Sequence, residues 1–465
     1  MTDPLRPPRL VVETREVDPD RDLLAFTHPD SPLAWLRRGD GIVGVGATVA
    51  QFATGGASGL AADSPADAWR AIAAEAHVDD PVAVAGTGLV AFGSLAFDPT
   101  SRSTSRLVVP QAIVGRRDGR AWVTRVRAEE NGSAGGAGGA GGAGVDGVAG
   151  GAGVAGLDEP GLQPLPYGPY WSATLGPGAL DPAGYQAAVR LALDAIARGE
   201  VGKVVLARDL VGTVPRGADL RRLVRALAMG YPDTWTFAMA GLIGASPETL
   251  VTVSGGSVTA RVLAGTFPRG TDAGGDAEAS VALSHSAKDL DEHRYAVQSV
   301  LEALRPHTTE LRADDEPFAL ELPNLWHLAT DVAGDLADHA SALDLVAALH
   351  PTAAVAGTPT DAAIALIRRL EPFDRGRYAG PVGWVDGNGD GEWAIALRCA
   401  QIGETSGGGE TSGGGETSGG AGTSGDAGTI PVVAHAGAGI VAGSDPETEL
   451  LETRVKFRPI VDALA

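Results

Sequence analysis

At 465 residues, with 44% hydrophobic and 20% charged, the chain can form one very large domain or two to three ordinary ones and can bury a core, which excludes a peptide-sized scaffold and a disordered chain. Its 36 Lys plus Arg against 58 Asp plus Glu leave a net charge of −22, a field that repels polyanions, so neither nucleic acid nor an anionic membrane is an expected partner. The single cysteine, Cys399, excludes an intrachain disulfide, and the N-terminus has no basic segment leading into an apolar one, so a cytoplasmic location is expected.

In chain order, Gly41 to Ala62 is uncharged but too rich in glycine and in Thr48, Gln51, Thr54 and Ser58 to span a membrane; it reads as a strand and loop. Gly44-x-Gly46 and the glycines near Gly86 lack the third glycine and the helix of a dinucleotide fingerprint. Residues 131–156, almost all Gly and Ala, form a flexible insertion between an N-terminal part, 1–130, and a C-terminal region, 157–465, where the unusual residue combinations concentrate. Asp181-Pro182 predicts a helix start, Tyr185, Val189, Leu193 and Ile196 its buried face, and Gly199 its stop. KVVLAR (203–208) follows as a strand, and Leu250–Val253, Ser257–Leu263, Val382–Val385 and Trp393–Ile402 predict others. Helical patterns cover about 284–304, 341–349, 360–370 and 445–464. Residues 403–428, with GETSGG three times, overgrow the tip of a hairpin between 393–402 and 429–435. Strands and helices without regular alternation predict an α+β fold.

Chemistry-bearing residues stand out against this frame. Only three of the basic residues are lysine: Lys203, Lys288 and Lys456. In a chain that otherwise uses arginine, a lysine is suspected of a task arginine cannot do, such as shedding its proton or acting as a compact point charge. Asp289 and Glu292 share a face of one predicted helix; Glu449 and Glu452 do so on another, with Lys456 one turn further along. Each face alone reads as solvated, but together they offer hard oxygen ligands suited to Mg²⁺. Ser444 with Glu447 fits an N-terminal capping box. Glu248, in GASPETL (244–250), becomes a proton donor if burial raises its pKa, and Lys203 a general base if burial lowers its own. Asp386-Gly-Asn388-Gly-Asp390 begins like a calcium loop, but Leu397 stands where the closing glutamate belongs, so it reads as a β-turn. Cys399 reads as a core residue, and His293 and His327 as structural histidines.

Together the blocks KVVLAR, GASPETL, LAGTFPRG (263–270), HSAKDLDEH (285–293), LWHLAT (325–330), HPTAAVAG (350–357), EPFDRGRYAGPVGW (371–384), ALRCA (396–400) and AGAGIVAGSDPETELLET (436–453) resemble, in order, the chorismate-utilising enzymes. That family includes isochorismate and salicylate synthases and the large subunits of anthranilate and aminodeoxychorismate synthases. The resemblance covers about 181–465 and implies a single large α+β fold, two sheet layers flanked by helices, with 1–130 part of it. It implies Mg²⁺ held by Glu292 and Glu452, with Asp289 and Glu449 acting through water, and Gly265, Thr266, Gly437, Gly439 and Lys456 around the metal and the ring carboxylate of chorismate. It further implies Tyr378 and Arg398 at the enolpyruvyl carboxylate and His327 beside the ring.

Within that resemblance, Lys203 points to members that add water at C2, with Glu248 protonating the departing C4 hydroxyl; Ala264 speaks against the aminodeoxychorismate branch. Ala354, where salicylate synthases tend to carry threonine, tilts the expectation to isochorismate formation, with salicylate synthesis as the alternative and a silent chorismate-binding protein behind it. No glutaminase subunit is expected, and the chain should be a monomer or weak oligomer.

Overall fold

The computed structural model describes residues 9–18, 21–54, 64–129, 162–270, 272–403 and 428–465; the insertions expected at 131–156 and 403–428 lie outside the described residues apart from Gly403 and Gly428. The predicted first C-terminal helix forms over Pro182–Ala197, where the Asp181 carboxylate accepts from the Gly184 N–H at 2.7 Å and Tyr185 and Val189 are buried. Gly199, at φ +74°, ends it.

Two helix boundaries differ from expectation. The helix expected from about 284 starts at Ala287, where the Ser286 hydroxyl accepts from the Asp289 N–H, and it follows a separate helix, Ala273–His285, that the pattern did not indicate. The last helix, Pro446–Leu464, is capped by Asp445, whose carboxylate accepts from the Glu447 and Thr448 amides. Ser444 instead accepts from the Val441 N–H, so the expected Ser444–Glu447 capping box is absent; a carboxylate one residue later makes the stronger, charge-assisted cap.

All the described strands join one hydrogen-bonded network. Its hub is the strand Ser105–Arg117, which pairs along one edge with Asp40–Thr54. Its other edge is shared, by Val90–Ser94 over its first half and by Arg120–Ala128 over its second. This sharing makes two arms diverge. One runs from Asp40–Thr54 through Leu33–Arg37, Trp235–Met239, Leu242–Ser246, Cys399–Ile402 and Thr429–Ile440 to Lys203–Pro215. The other runs from Val90–Ser94 through Pro381–Asp386, Gly391–Ile395, Thr249–Ser254 and Ser257–Pro268 to Leu325–Leu336. The N-terminal strands therefore tie the two arms together.

Large side chains fill the space between the arms: Trp35, Trp384 and Trp393 are almost fully buried. The Trp35 and Trp384 indoles both donate to one oxygen of the buried Glu392, and Arg117 pairs with the other, so the apolar core carries no orphaned charge there. The Asp386–Asp390 segment is the expected turn, with the Asp386 carboxylate accepting from the Asn388 and Asp390 amides. The strand predicted over Trp393–Ile402 is broken after Ile395 and resumes at Cys399, because here the chain leaves one arm for the other. Among the described residues no helix is long and apolar enough to cross a membrane.

Candidate active site

The two crossings between arms carry functional side chains. Glu248 lies where the chain passes from Leu242–Ser246 to Thr249–Ser254, and Arg398 where it returns from Gly391–Ile395 to Cys399–Ile402. The crossings are bonded to each other, the Ala245 N–H to the Arg398 carbonyl at 3.2 Å and the Ile395 N–H to the Glu248 carbonyl at 3.2 Å. Arg398 sits at φ +50°, which turns its side chain inward at the break.

Between the arms is a small cavity of about 40 Å³. It is lined by Glu248, Gly265, Thr266, Glu292, His327 and Ala354, and by Tyr378, Arg398, Gly437, Gly439 and Lys456. Residues far apart in sequence thus converge on one cavity. Lys203, Asp289, Glu449 and Glu452 stand behind this lining. Val205, Leu263, Val355, Arg375 and Leu397 also line it and were not singled out; each lies within or beside a quoted block, but nothing in its residue type marks it.

The carboxylate faces are not solvated: Asp289 and Glu292 are largely buried and Glu449 completely so. The protein's three lysines meet three of these acids, Lys203 Nζ at 3.3 Å from Glu292 Oε1, Lys288 at 2.6 Å from Glu449 Oε1 and Lys456 at 2.6 Å from Glu452 Oε1. Lys203, wholly buried, has no hydrogen bond in addition to that ion pair. Lys456 also donates to the Gly437 carbonyl at 3.0 Å. Burial would raise the Glu292 pKa, but Lys203, Lys456 and Lys288 outweigh it and hold this carboxyl low and ionised. Burial, then the neighbouring Glu452, push Glu449 up to about 7, and burial raises Asp289 against the pull of the Ser286 hydroxyl and Lys288. Burial works against the charge of Lys288, yet Glu449 and Glu452 leave its proton more tightly held than usual.

Whether these acids suit a divalent cation can be judged from the donor set. All four side chains offer hard oxygens, and Glu449 Oε2 is buried without a hydrogen-bond partner, an acceptor still in want of a positive partner. No three His, Cys, Asp or Glu side chains among the described residues are already gathered as ligands, since each glutamate leans on its own lysine. The donor chemistry fits magnesium.

Glycine is required where the cavity is tightest. A Cβ on Gly439 would lie 2.1 Å from Glu292 Oε1 and 3.0 Å from Lys203 Cε. Gly265, at φ +80°, forms the bulge of Ser257–Pro268 against Leu325–Leu336 and turns its carbonyl to His327. His327 Nδ1 lies 3.1 Å from that carbonyl and Nε2 lies 3.1 Å from Arg398 Nη2, which assigns the proton to Nδ1 and makes Nε2 the acceptor. Burial, then the charges of Arg398 and Lys456, keep this imidazole neutral. His293 is structural, as expected, bonded to the Ala264 carbonyl and Thr330 hydroxyl. Cys399 is a core residue whose thiol is pushed up to about 12 by burial.

Glu248 is the electrostatic outlier. Burial pushes it up to about 8, despite the opposing charges of Lys203, Arg398 and Lys456, so it is a neutral acid near pH 7. A buried carboxylic acid, a buried amine, an arginine fork and an oxygen cluster around one cavity can protonate a leaving group, deprotonate a nucleophile and hold a diacid.

Comparison with known proteins follows the same lines. The sequence profile described as chorismate binding enzyme matches residues 171–408 and 427–465. Isochorismate synthase DhbC of Bacillus subtilis is 39% identical over 296 residues, covering 61% of this chain and 68% of that protein. A putative isochorismate synthase, MenF, of Mycobacterium tuberculosis is 38% identical over 313 residues, covering 64% of this chain and 78% of that one. A crystal structure of a putative 2,3-dihydroxybenzoate-specific isochorismate synthase from Bacillus anthracis superposes with a TM-score of 0.68 at 28% identity, over 95% of this chain and 98% of that one.

Proposed function

The chain belongs to the chorismate binding enzymes, and from that premise we propose that it is an isochorismate synthase, converting chorismate to isochorismate. The observation that carries the reading is Glu248: a buried carboxyl kept neutral, facing the same small cavity as Arg398 and backed by the only fully buried lysine, Lys203. An ammonia-using relative would need no base, whereas water is too weak a nucleophile without one.

In this reading Arg398 and Tyr378 bind the enolpyruvyl carboxylate, and His327 holds Arg398 in place by accepting one of its N–H groups. Acting as the uncharged amine, Lys203 takes a proton from water as the oxygen bonds to C2, the ring double bond shifts, and the C4–O bond breaks as Glu248 delivers a proton to the departing oxygen. Water enters and water leaves, so the product is an isomer of the substrate. Glu292 and Glu452 would hold magnesium, with Asp289 and Glu449 behind them. When bound, the metal supplies charge that anchors the ring carboxylate among acids that would otherwise repel it. Gly265, Thr266, Gly437, Gly439 and Lys456 shape that end of the cavity. Ala354 leaves room beside the ring where a bulkier side chain would press on it. We further propose that the enzyme acts in the cytoplasm, without a glutaminase subunit, as a monomer or weak oligomer.

The test is incubation with chorismate and Mg²⁺ followed by product chromatography. Isochorismate is expected; salicylate with pyruvate, or unchanged chorismate, would each overturn the assignment.

A further inference from the structure

The strand that carries Lys203 has one edge fully paired, with Val205 opposite Gly439 and Ala207 opposite Gly437. Its other edge is covered by Gly357–Thr358 only at Lys203 and Val204. Beyond that the ladder is interrupted inside the protein until Gly176–Pro177 resume it at Leu210 and Val211. The Val205 N–H still reaches the Ala356 carbonyl at 2.8 Å, but the Val205 carbonyl and the Ala207 N–H have no strand facing them. Buried backbone groups need partners, and here an ion pair provides them. Arg375 Nη2 donates to the Val205 carbonyl at 2.8 Å, and Glu371 Oε1 accepts from the Ala207 N–H at 2.8 Å.

The pair also closes on itself, Nε to Oε2 at 2.8 Å and Nη2 to Oε1 at 2.6 Å, while Nη1 donates to the Val355 carbonyl at 2.9 Å. Its side chains are only 2% and 1% exposed, and Phe97 packs against the guanidinium. A fork and a carboxylate thus stand in for a missing strand directly after Lys203. The same guanidinium grips the carbonyl next to Ala354. Both ends of the device therefore hold residues of the reaction cavity, and its two charges cancel, leaving the field at Glu248 and Arg398 to other groups.

We propose that Glu371 and Arg375 are positioning residues of the reaction, setting where Lys203 and Ala354 stand relative to substrate while making none of the bonds that change. The inference rests on the isochorismate synthase reading. Arg375→Lys and Glu371→Asp test it, since both preserve charge and neither leaves a lone buried ion. An ammonium cannot fork, and a shorter carboxylate cannot span to Ala207. In folded variants kcat is expected to fall about 10- to 100-fold with KM changed less than about threefold, as small misplacements of a reacting group do. Amide exchange should quicken over 205–207 and 354–356 but not along Gly391–Ile395. Wild-type kcat in either folded variant, or a loss confined to KM, overturns the proposal; the latter would make Arg375 a substrate contact. If neither variant folds, wild-type protein decides: the Ala207 amide must exchange as slowly as its strand-paired neighbours, and rapid exchange refutes the device. Exchange needs no turnover, so a wild type that makes no isochorismate would sink the assigned reaction while leaving this measurement to judge the pair.

Discussion

At the scale of single residues, Glu248 and Lys203 share their burial and take opposite parts in the proposed reaction, one as acid and one as base. Glu248→Gln keeps shape but cannot donate a proton, and Lys203→Arg keeps charge but cannot give its proton up. Each is expected to lower kcat by about 10²- to 10⁴-fold, read from the initial rate of isochorismate formation. Glu248 also links activity to stability. Its carboxyl is pushed from an ordinary 4.5 up to about 8 by burial, so the folded protein holds a proton that the unfolded chain has already released. Stability from this group is therefore complete below about pH 4.5 and declines until about pH 8. Glu248→Gln should consequently gain stability relative to wild type across that window, by on the order of 4 kcal/mol in total. Parallel denaturant titrations at pH 5 and pH 8 check this; a constant difference between the two proteins would contradict it. The wild-type rate should fall above about pH 8, where the acid has lost its proton.

At the scale of elements, the site is made by close approach of one strand to two helices. Gly439 on Thr429–Ile440 leaves the Glu292 carboxylate and the Lys203 chain the space that a Cβ would take. Gly439→Ala places a methyl group where Glu292 Oε1 now lies, so activity should drop at least about 100-fold even in protein whose circular dichroism is unchanged. Full activity in Gly439→Ala would show that Glu292 moves freely. Much of this scale was legible in the sequence. Asp181 and Pro182 begin a helix as their chemistry requires, and KVVLAR is a strand as its β-branched residues suggest. What failed was local competition: Asp445 outcompeted Ser444 for the same amides, and Ser286 capped the helix at Ala287, two to three residues later than periodicity placed its start. The acidic faces read as solvated because periodicity reports which residues share a face but not what covers it. Packing of Ala287–Leu304 on Ser257–Pro268 and of Pro446–Leu464 on Thr429–Ile440, with Lys288 of the first helix reaching Glu449 of the second, buries them.

At the scale of the whole molecule, an enzyme with a net charge of −22 binds a diacid by concentrating cations at one point. Magnesium that binds only the folded state must stabilise it by mass action. Thermal unfolding should therefore shift upward with Mg²⁺, and Glu292→Gln or Glu452→Gln should abolish the shift; an unshifted wild type would argue against these carboxylates as ligands. The tract between Gly403 and Gly428 connects strands already paired beside it, with the Gly403 N–H on the Pro431 carbonyl at 3.0 Å. Replacing 404–427 by a short Gly/Ser turn should leave kcat/KM within about twofold and raise stability by about 1 to 2 kcal/mol through reduced loop-closure entropy. A fall in activity would assign that tract a role in the reaction.

Residue types and their order along the chain were enough to indicate the α+β class, the family resemblance and the side chains that surround the cavity, because these depend on local chemistry and on blocks short enough to recognise. The three lysines already stood out by composition, in a chain that otherwise uses arginine. That each would face its own glutamate, that two crossings between sheet arms would carry Glu248 and Arg398, and that Glu371 and Arg375 would complete an unfinished strand required the folded chain. Those features arise from groups brought together across hundreds of residues, and their protonation and bonding are set by the burial that tertiary packing imposes.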